Sequence, residues 1–131
     1  MENVFNVEII SPEKIIFSGK TKMATLPSYE GNMSILRNHI SIITFLRPGV
    51  IKIEKSEGNF IDFFVEDGTV EYFNDSLVVL SATAIDVKDL SKKIIDDLSE
   101  NTKNKLNQKE LTDHERYILN HKIDVLKEIR V

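Results

Sequence analysis

An α+β fold is predicted, an N-terminal antiparallel β-sandwich followed by a C-terminal two-helix antiparallel hairpin. Three observations predict it. From Val4 to about Ile85 apolar residues recur with period two, and turn-forming residues interrupt them roughly every 8 to 12 positions. After Asp86 the period becomes helical. All five glycines and all three prolines lie before that change.

The first element is explicit: Phe5, Val7 and Ile9 alternate with Asn6 and Glu8 until Ser11-Pro12-Glu13 ends the run. Further breaks fall at Ser18-Gly19, Pro27 to Gly31, Arg47-Pro48-Gly49, Glu57-Gly58-Asn59, Asp67-Gly68 and Asn74-Asp75. Pro48-Gly49 suits the centre of a type II turn, Pro presetting φ and Gly accepting a positive one. Asp67-Gly68 is a type I′ hairpin signal. Between the breaks, β-branched and aromatic runs such as Val50 to Ile53, Phe60 to Val65 and Leu77 to Leu80 read as strands.

Two amphipathic helices follow. Leu90, Ile94, Ile95 and Leu98 make one stripe, and Ile118, Leu119, Ile123, Val125, Leu126 and Ile129 make the second. The packing residues expected for the hairpin are Leu90, Ile94, Leu98, Leu119, Ile123 and Leu126. The polar stretch Asn101 to Glu110 is the natural connection. Thr112 with Glu115 is a capping box, so the second helix begins near Asp113. Asp86 and Asp89 suit the N-terminus of the first helix, where the dipole favours negative charge. The expected division is a sandwich domain, 1–85, and a helical domain, 86–131.

Composition excludes several functions. With 131 residues the chain can bury roughly two-thirds of its unfolded surface, enough for a core. A net charge of −4 leaves no basic excess for nucleic-acid phosphates. Residues 86–131 hold ten of the 17 basic and ten of the 21 acidic residues, so the whole imbalance sits in the first half. Without cysteine there is no disulfide, thiolate nucleophile or Cys-ligated zinc. No apolar run approaches the roughly 18 residues of a membrane span. Met1-Glu2-Asn3 does not open a targeting peptide. Membrane association is therefore expected only through a partner.

No catalytic constellation emerges. No phosphate-cradling glycine motif occurs. His114-Glu115 begins like a zinc-protease HExxH, but Ile118 stands where the second His belongs. His39 follows a turn-rich loop, yet no Gly-x-Ser-x-Gly elbow exists to build a triad with it. Asp96 and Asp97 are adjacent on a helix, about 100° apart, and do not converge. No catalytic residue, metal or cofactor is expected.

Several strings, in order, resemble the epsilon subunit of F-type ATP synthases. These are Phe5 to Glu13 with Ile16-Phe17-Ser18-Gly19; then Leu26-Pro27, Glu30-Gly31, Ile35-Leu36 and Asn38-His39; then Leu46-Arg47-Pro48-Gly49-Val50; then Gly68, Val70 and Glu71; and Val78-Val79-Leu80 with Ala82 and Ala84. The departures are Ser28, Met33-Ser34 and Asp67, where the family favours glycine, and the lack of any Ala after Ala84. The resemblance implies a non-catalytic rotor subunit of the central stalk of a proton-translocating synthase. Its partners would be the gamma subunit and the ring of c subunits, with alpha and beta subunits reachable by the C-terminal helices, which can restrain ATP hydrolysis. The location implied is the cytoplasmic face of the bacterial inner membrane. It also implies that Glu30 and Gly31 lie in the loop facing the ring, with His39 close by. A freestanding β-sandwich binding module with a helical dimerisation hairpin is the alternative. Some bacterial members bind ATP through a motif that Ile85-Asp86-Val87-Lys88-Asp89-Leu90 begins but does not complete, since the Arg is missing. Thermal melts with millimolar ATP are therefore expected to show no shift, whereas a ligand at 100 times its dissociation constant adds about 2.7 kcal/mol; a saturable rise in midpoint would refute this.

Overall fold

The computed structural model describes residues 3–129. The chain divides into two compact units, Met1–Asp86 and Val87–Val131.

The first unit is built from β1 (Phe5–Ile10), β2 (Ile15–Thr21), β3 (Met23–Ser28), β4 (Gly31–Leu36), β5 (Ile42–Leu46), β6 (Gly49–Ser56), β7 (Asn59–Val65), β8 (Gly68–Phe73), β9 (Ser76–Leu80) and β10 (Ile85–Asp86). Pairing follows the path β10-β7-β6-β3-β5-β8-β9-β1-β2, with β4 beside β3. Every pair in it is antiparallel except β1–β9, which is parallel, in register from Asn6↔Ser76 to Ile10↔Leu80. Strand β3 is the corner of the sheet. It pairs with β6 at Ala24 and Thr25 but reaches β5 only through Ser28↔Leu46. The far end of the path returns: the Thr21 hydroxyl at the end of β2 lies 2.5 Å from the Glu54 carbonyl of β6 and 2.9 Å from that of Met23. The curled sheet thus encloses its own core.

Period two decides what enters that core. Phe5, Val7 and Ile9, Ala24 and Leu26, Ile51 and Ile53, Phe63 and Val65, Val70 and Tyr72, and Leu77 and Val79 all point inward and are buried. Each large side chain so buried contributes about 1.5–3 kcal/mol. Phe5 meets Tyr72 edge-to-face with ring centroids 5.6 Å apart, the arrangement the ring quadrupoles favour.

The turns hold surprises. Gly49 has no positive φ and begins β6, so Pro48-Gly49 is not the expected type II turn. Glycine is needed there for space: a Cβ would lie 2.4 Å from Cβ of Pro27. Asp67-Gly68 closes no hairpin either, because β7 pairs with β6 and β10 while β8 pairs with β5 and β9. A Cβ on Gly68 would lie 2.8 Å from the Leu80 carbonyl oxygen. The type I′ geometry occurs at Asn74-Asp75, with φ of 50° and 58° between the paired Phe73 and Ser76.

Asp86 does not start a helix. It pairs with Phe63 in β10, and a 3-10 turn over Val87–Asp89 follows. Helix α1 (Lys92–Leu106) is capped by Ser91, whose hydroxyl accepts from the Ile94 amide. Its first turn carries no acidic residue, and Asp89 lies two residues before the Ser91 cap, in the 3-10 turn. Leu90 is buried but lies before α1, and Ile94 is exposed. Helix α1 buries Ile95 and Thr102, with Leu98 half-buried. It also runs through Asn101 to Leu106, which the polar composition had marked as a connection. Thr102 fits inside because its hydroxyl donates to the Leu98 carbonyl, 2.7 Å away, within its own helix. Helix α2 (Asp113–Glu128) packs on α1 and buries Lys122, Ile123 and Leu126, with Leu119 half-buried. The capping box is formed: the Glu115 amide donates to the Thr112 hydroxyl at 3.0 Å, and the Thr112 amide to the Glu115 carboxylate at 3.3 Å.

Replacing Gly49 with Ala is expected to destabilise the β unit by about 1–3 kcal/mol through overpacking. The check is a urea midpoint that falls at unchanged slope; an unaltered midpoint would show that Pro27 yields.

Candidate functional site

The site begins at the turn between β3 and β4. Ser28 pairs with Gly31, leaving Tyr29 and Glu30 at the tip, and Gly31 takes a φ of 123° that its missing Cβ permits. The Ser28 hydroxyl donates to the Gly31 carbonyl at 2.6 Å, and the Tyr29 amide donates to the Phe45 carbonyl at 3.2 Å. The tip is thereby tied to β5. Glu30 itself is exposed.

Beside this tip lies an open groove of about 620 Å³. Tyr29, Phe45, Leu80 and Ile10 supply its apolar wall, and Ser11 and Gly68 lie at its edge. Its origin is registry. Phe45 pairs with Thr69, Thr69 with Leu80 and Leu80 with Ile10, so one row crosses four strands on the face opposite the core. Phe45 is 56% exposed and Leu80 52%, with Ile43 and Phe73 also exposed on the same strands. Such a contiguous patch marks an interaction surface rather than a catalytic cleft. Sequence reading missed this row. Its signal was present in Ile42-Ile43-Thr44-Phe45-Leu46, a strand apolar in both phases and therefore apolar on both faces.

His39 stands elsewhere. It follows β4, with its amide donating to the Leu36 carbonyl at 3.1 Å. Gly31 opens β4, and the five rises of about 3.3 Å from it to Leu36 put the end of the strand that His39 follows roughly 17 Å from the turn. The expected closeness of His39 to that loop is thus corrected: the extended strand holds the two apart. His39 instead packs edge-on against Tyr72, centroids 5.8 Å apart. Its Nδ1 lies 2.7 Å from the Ile40 carbonyl, which only accepts, so this nitrogen carries the proton.

A polar knot sits under His39; the sequence marked Asp75 only as a turn residue and Asn38 only within a family-like string, and gave no sign that they meet. Asp75 Oδ1 accepts from the Asn38 amide at 3.0 Å and from the Tyr72 hydroxyl at 2.8 Å. Its other oxygen lies 3.7 Å from Arg37 Nε. The Asn38 amide, then the Tyr72 hydroxyl, then the Arg37 charge hold the Asp75 carboxyl below the usual carboxylate range. Burial, then the Asp75 hydrogen bond and charge, push the Tyr72 phenol up. The ionised Asp75 therefore contributes stability above its ordinary value of 3.8, lost as the pH falls through the depressed one.

In the helical unit Thr112 and Glu115 form only the cap described above. A second groove, of about 330 Å³, is bordered by Ile95, Ser99, Ile123 and Leu126 with Lys92, Lys103 and Lys127 at its rim. Among the described residues no cluster of three or more His, Asp or Glu is placed to hold a metal, and no helix is long and apolar enough to cross a membrane.

Comparison with known proteins gives this geometry its context. The sequence profile described as "ATP synthase, Delta/Epsilon chain, beta-sandwich domain" matches residues 4–87. The ATP synthase epsilon chain of Pelagibacter ubique is 40% identical over 128 residues, covering 97% of this chain and 98% of that one. That of Parvibaculum lavamentivorans is 31% identical over 131 residues, covering 99% and 98%. Among solved structures, a chain of the Euglena gracilis mitochondrial ATP synthase (OSCP/F1/c-ring) superposes with a TM-score of 0.74 at 13% identity, covering 97% of this chain and 79% of that one. One from the central stalk and c-ring of the Tetrahymena thermophila mitochondrial ATP synthase gives 0.63 at 14%, covering 94% and 93%. These two show likeness of fold, while the sequence relatives match from end to end. The chain belongs to the ATP synthase epsilon chain family.

Proposed function

We propose that this chain is a non-catalytic rotor subunit of the central stalk of an F-type ATP synthase, docked through the outer apolar row of its β unit. The observation that carries the reading is the row of Ile10, Leu80 and Phe45 beside Tyr29. A lone soluble domain gains nothing from a contiguous patch of this kind, and an obligate subunit buries it. Tyr29 is shared by the groove and by the turn that carries Glu30, so one surface offers an apolar bed and a charged rim together. In this reading the bed lies against the gamma subunit. Glu30 and Gly31 meet the polar loops of the c-ring, where the carboxylate helps set register. The assembly places the chain on the cytoplasmic face of the bacterial membrane, held there by its partners. His39, at the far end of β4, belongs to a second contact with gamma.

The two units are proposed to be separable domains. Strand β10 completes the β unit by pairing with β7. The natural cut therefore falls after Asp86, one residue beyond the boundary the change of period marks. The helices would then be free to act on the head of the synthase, but their charge argues for a weak brake. Of the bases in α2, Lys122 is buried, and Asp113, Glu115, Asp124 and Glu128 oppose Arg116 and Lys127. Arg130, a further base weighed for this role, lies outside the described residues. Exposed ion pairs contribute only about 0–1 kcal/mol each.

Two measurements test this. Tagged protein purified from membranes at low salt is expected to retain synthase subunits. Phe45→Asp with Leu80→Asp is expected to lose them while the isolated chain keeps its melting point; retention by the double variant would remove the groove from the interface. Deleting residues 87–131 is expected to raise ATP hydrolysis by the assembled enzyme less than tenfold. A larger rise, equivalent to more than about 1.4 kcal/mol of restraint, would show the helices to be a strong brake.

A further inference from the structure

The second central position of a type I′ turn favours glycine, and at position 75 the chain places an aspartate at φ 58° instead. An L-residue there is strained unless its side chain returns something. Here the carboxylate reaches out of its own hairpin. It receives the amide of Asn38 and the hydroxyl of Tyr72 and faces the guanidinium of Arg37. Asn38 is itself left-handed, with a φ of 66°, a region that Asn enters more readily than most residues. The turn has firm support of its own, because the Asn6 amide of β1 donates to the Asp75 carbonyl at 3.0 Å.

We propose that Asp75 is a positioning residue, a clip by which the β8–β9 turn holds the Arg37–Ile40 loop, so that this loop opens as a local unit without the sandwich unfolding. The turn is anchored to β1 and the loop hangs from the turn. Ile40, 77% exposed, and His39, edge-on against Tyr72, are presented in fixed positions only while the clip is closed. The loop lies at the exposed rim, where opening costs less than in the core. The titratable groups facing the carboxylate are Arg37 and Tyr72, with His39 behind the Tyr72 ring. The donors around Asp75 favour its charged form, so the clip stays closed through the neutral range and opens only in acid below the ordinary value of 3.8.

The test is amide hydrogen exchange, residue by residue, on the full chain with Asp75→Gly. That substitution removes the carboxylate and suits the turn better than the native residue. Protection of the Asn38 and His39 amides is expected to fall at least about tenfold, with Leu77 and Val79 in β9 unchanged. Unchanged protection at Asn38, or an equal loss in β9, overturns the proposal. The unmodified protein supplies a second reading if the variant does not fold: the Asn38 amide proton resonance is expected to titrate with a midpoint below 3.8 before the β9 amides shift. An Asn38 resonance that moves only with global unfolding overturns the proposal equally.

Discussion

Everything on the outer face depends on how closely β6 passes β3. The Gly49 backbone lies against the Pro27 ring with no room for a side chain, and the Arg47 amide donates to the Pro27 carbonyl at 3.0 Å. This approach turns the chain from β5 into β6 and makes β3 the corner at which the sheet bends. Once the corner is set, Ser28 meets Leu46 and the Tyr29 amide meets the Phe45 carbonyl. The tip that carries Glu30 is thereby placed at the mouth of the groove. A close-packed interior transmits such a constraint because it has no slack to absorb it.

The same registry that builds the core builds the surface. In β5, β8, β9 and β1 one phase of the alternation fills the interior, and the other carries Phe45, Leu80 and Ile10 in a row. A patch on paired strands is held more firmly than one on loops. The loop bearing His39 and Ile40 has no such backing. The Asp75 side chain supplies it across a separation of 37 residues in sequence.

The helical unit shows the opposite economy. Two helices of 15 and 16 residues are marginal alone. Their buried surface is narrow, with Ile95 and Thr102 on one and Lys122, Ile123 and Leu126 on the other. Local devices do much of the stabilising: the Ser91 cap, the Thr112–Glu115 box, and a Thr102 hydroxyl satisfied within its own helix. Near-balanced charge leaves this unit without strong electrostatic direction.

The amino-acid sequence by itself determined what is local. Period two from Val4 to Ile85, the change of period after Asp86, the start of α2 at its capping box and the absence of a catalytic motif are all properties of neighbouring residues. It also carried the family, because a series of short strings kept their order. Tertiary structure decided what requires residues distant in sequence to meet. Gly49 is needed for its contact with Pro27 rather than for its φ. Asp67-Gly68 has every local mark of a hairpin, yet β7 and β8 pair elsewhere, while Asn74-Asp75 takes the left-handed turn. Leu90 and Ile94 share a helical period with Ile95, but α1 begins only after Ser91 and turns Ile94 to solvent. Glu30 and His39, close in sequence, are held apart by an extended strand, and Asp75 is brought to Asn38 by a fold. Periodicity states which residues share a face; only the packed sheet determines what each face meets.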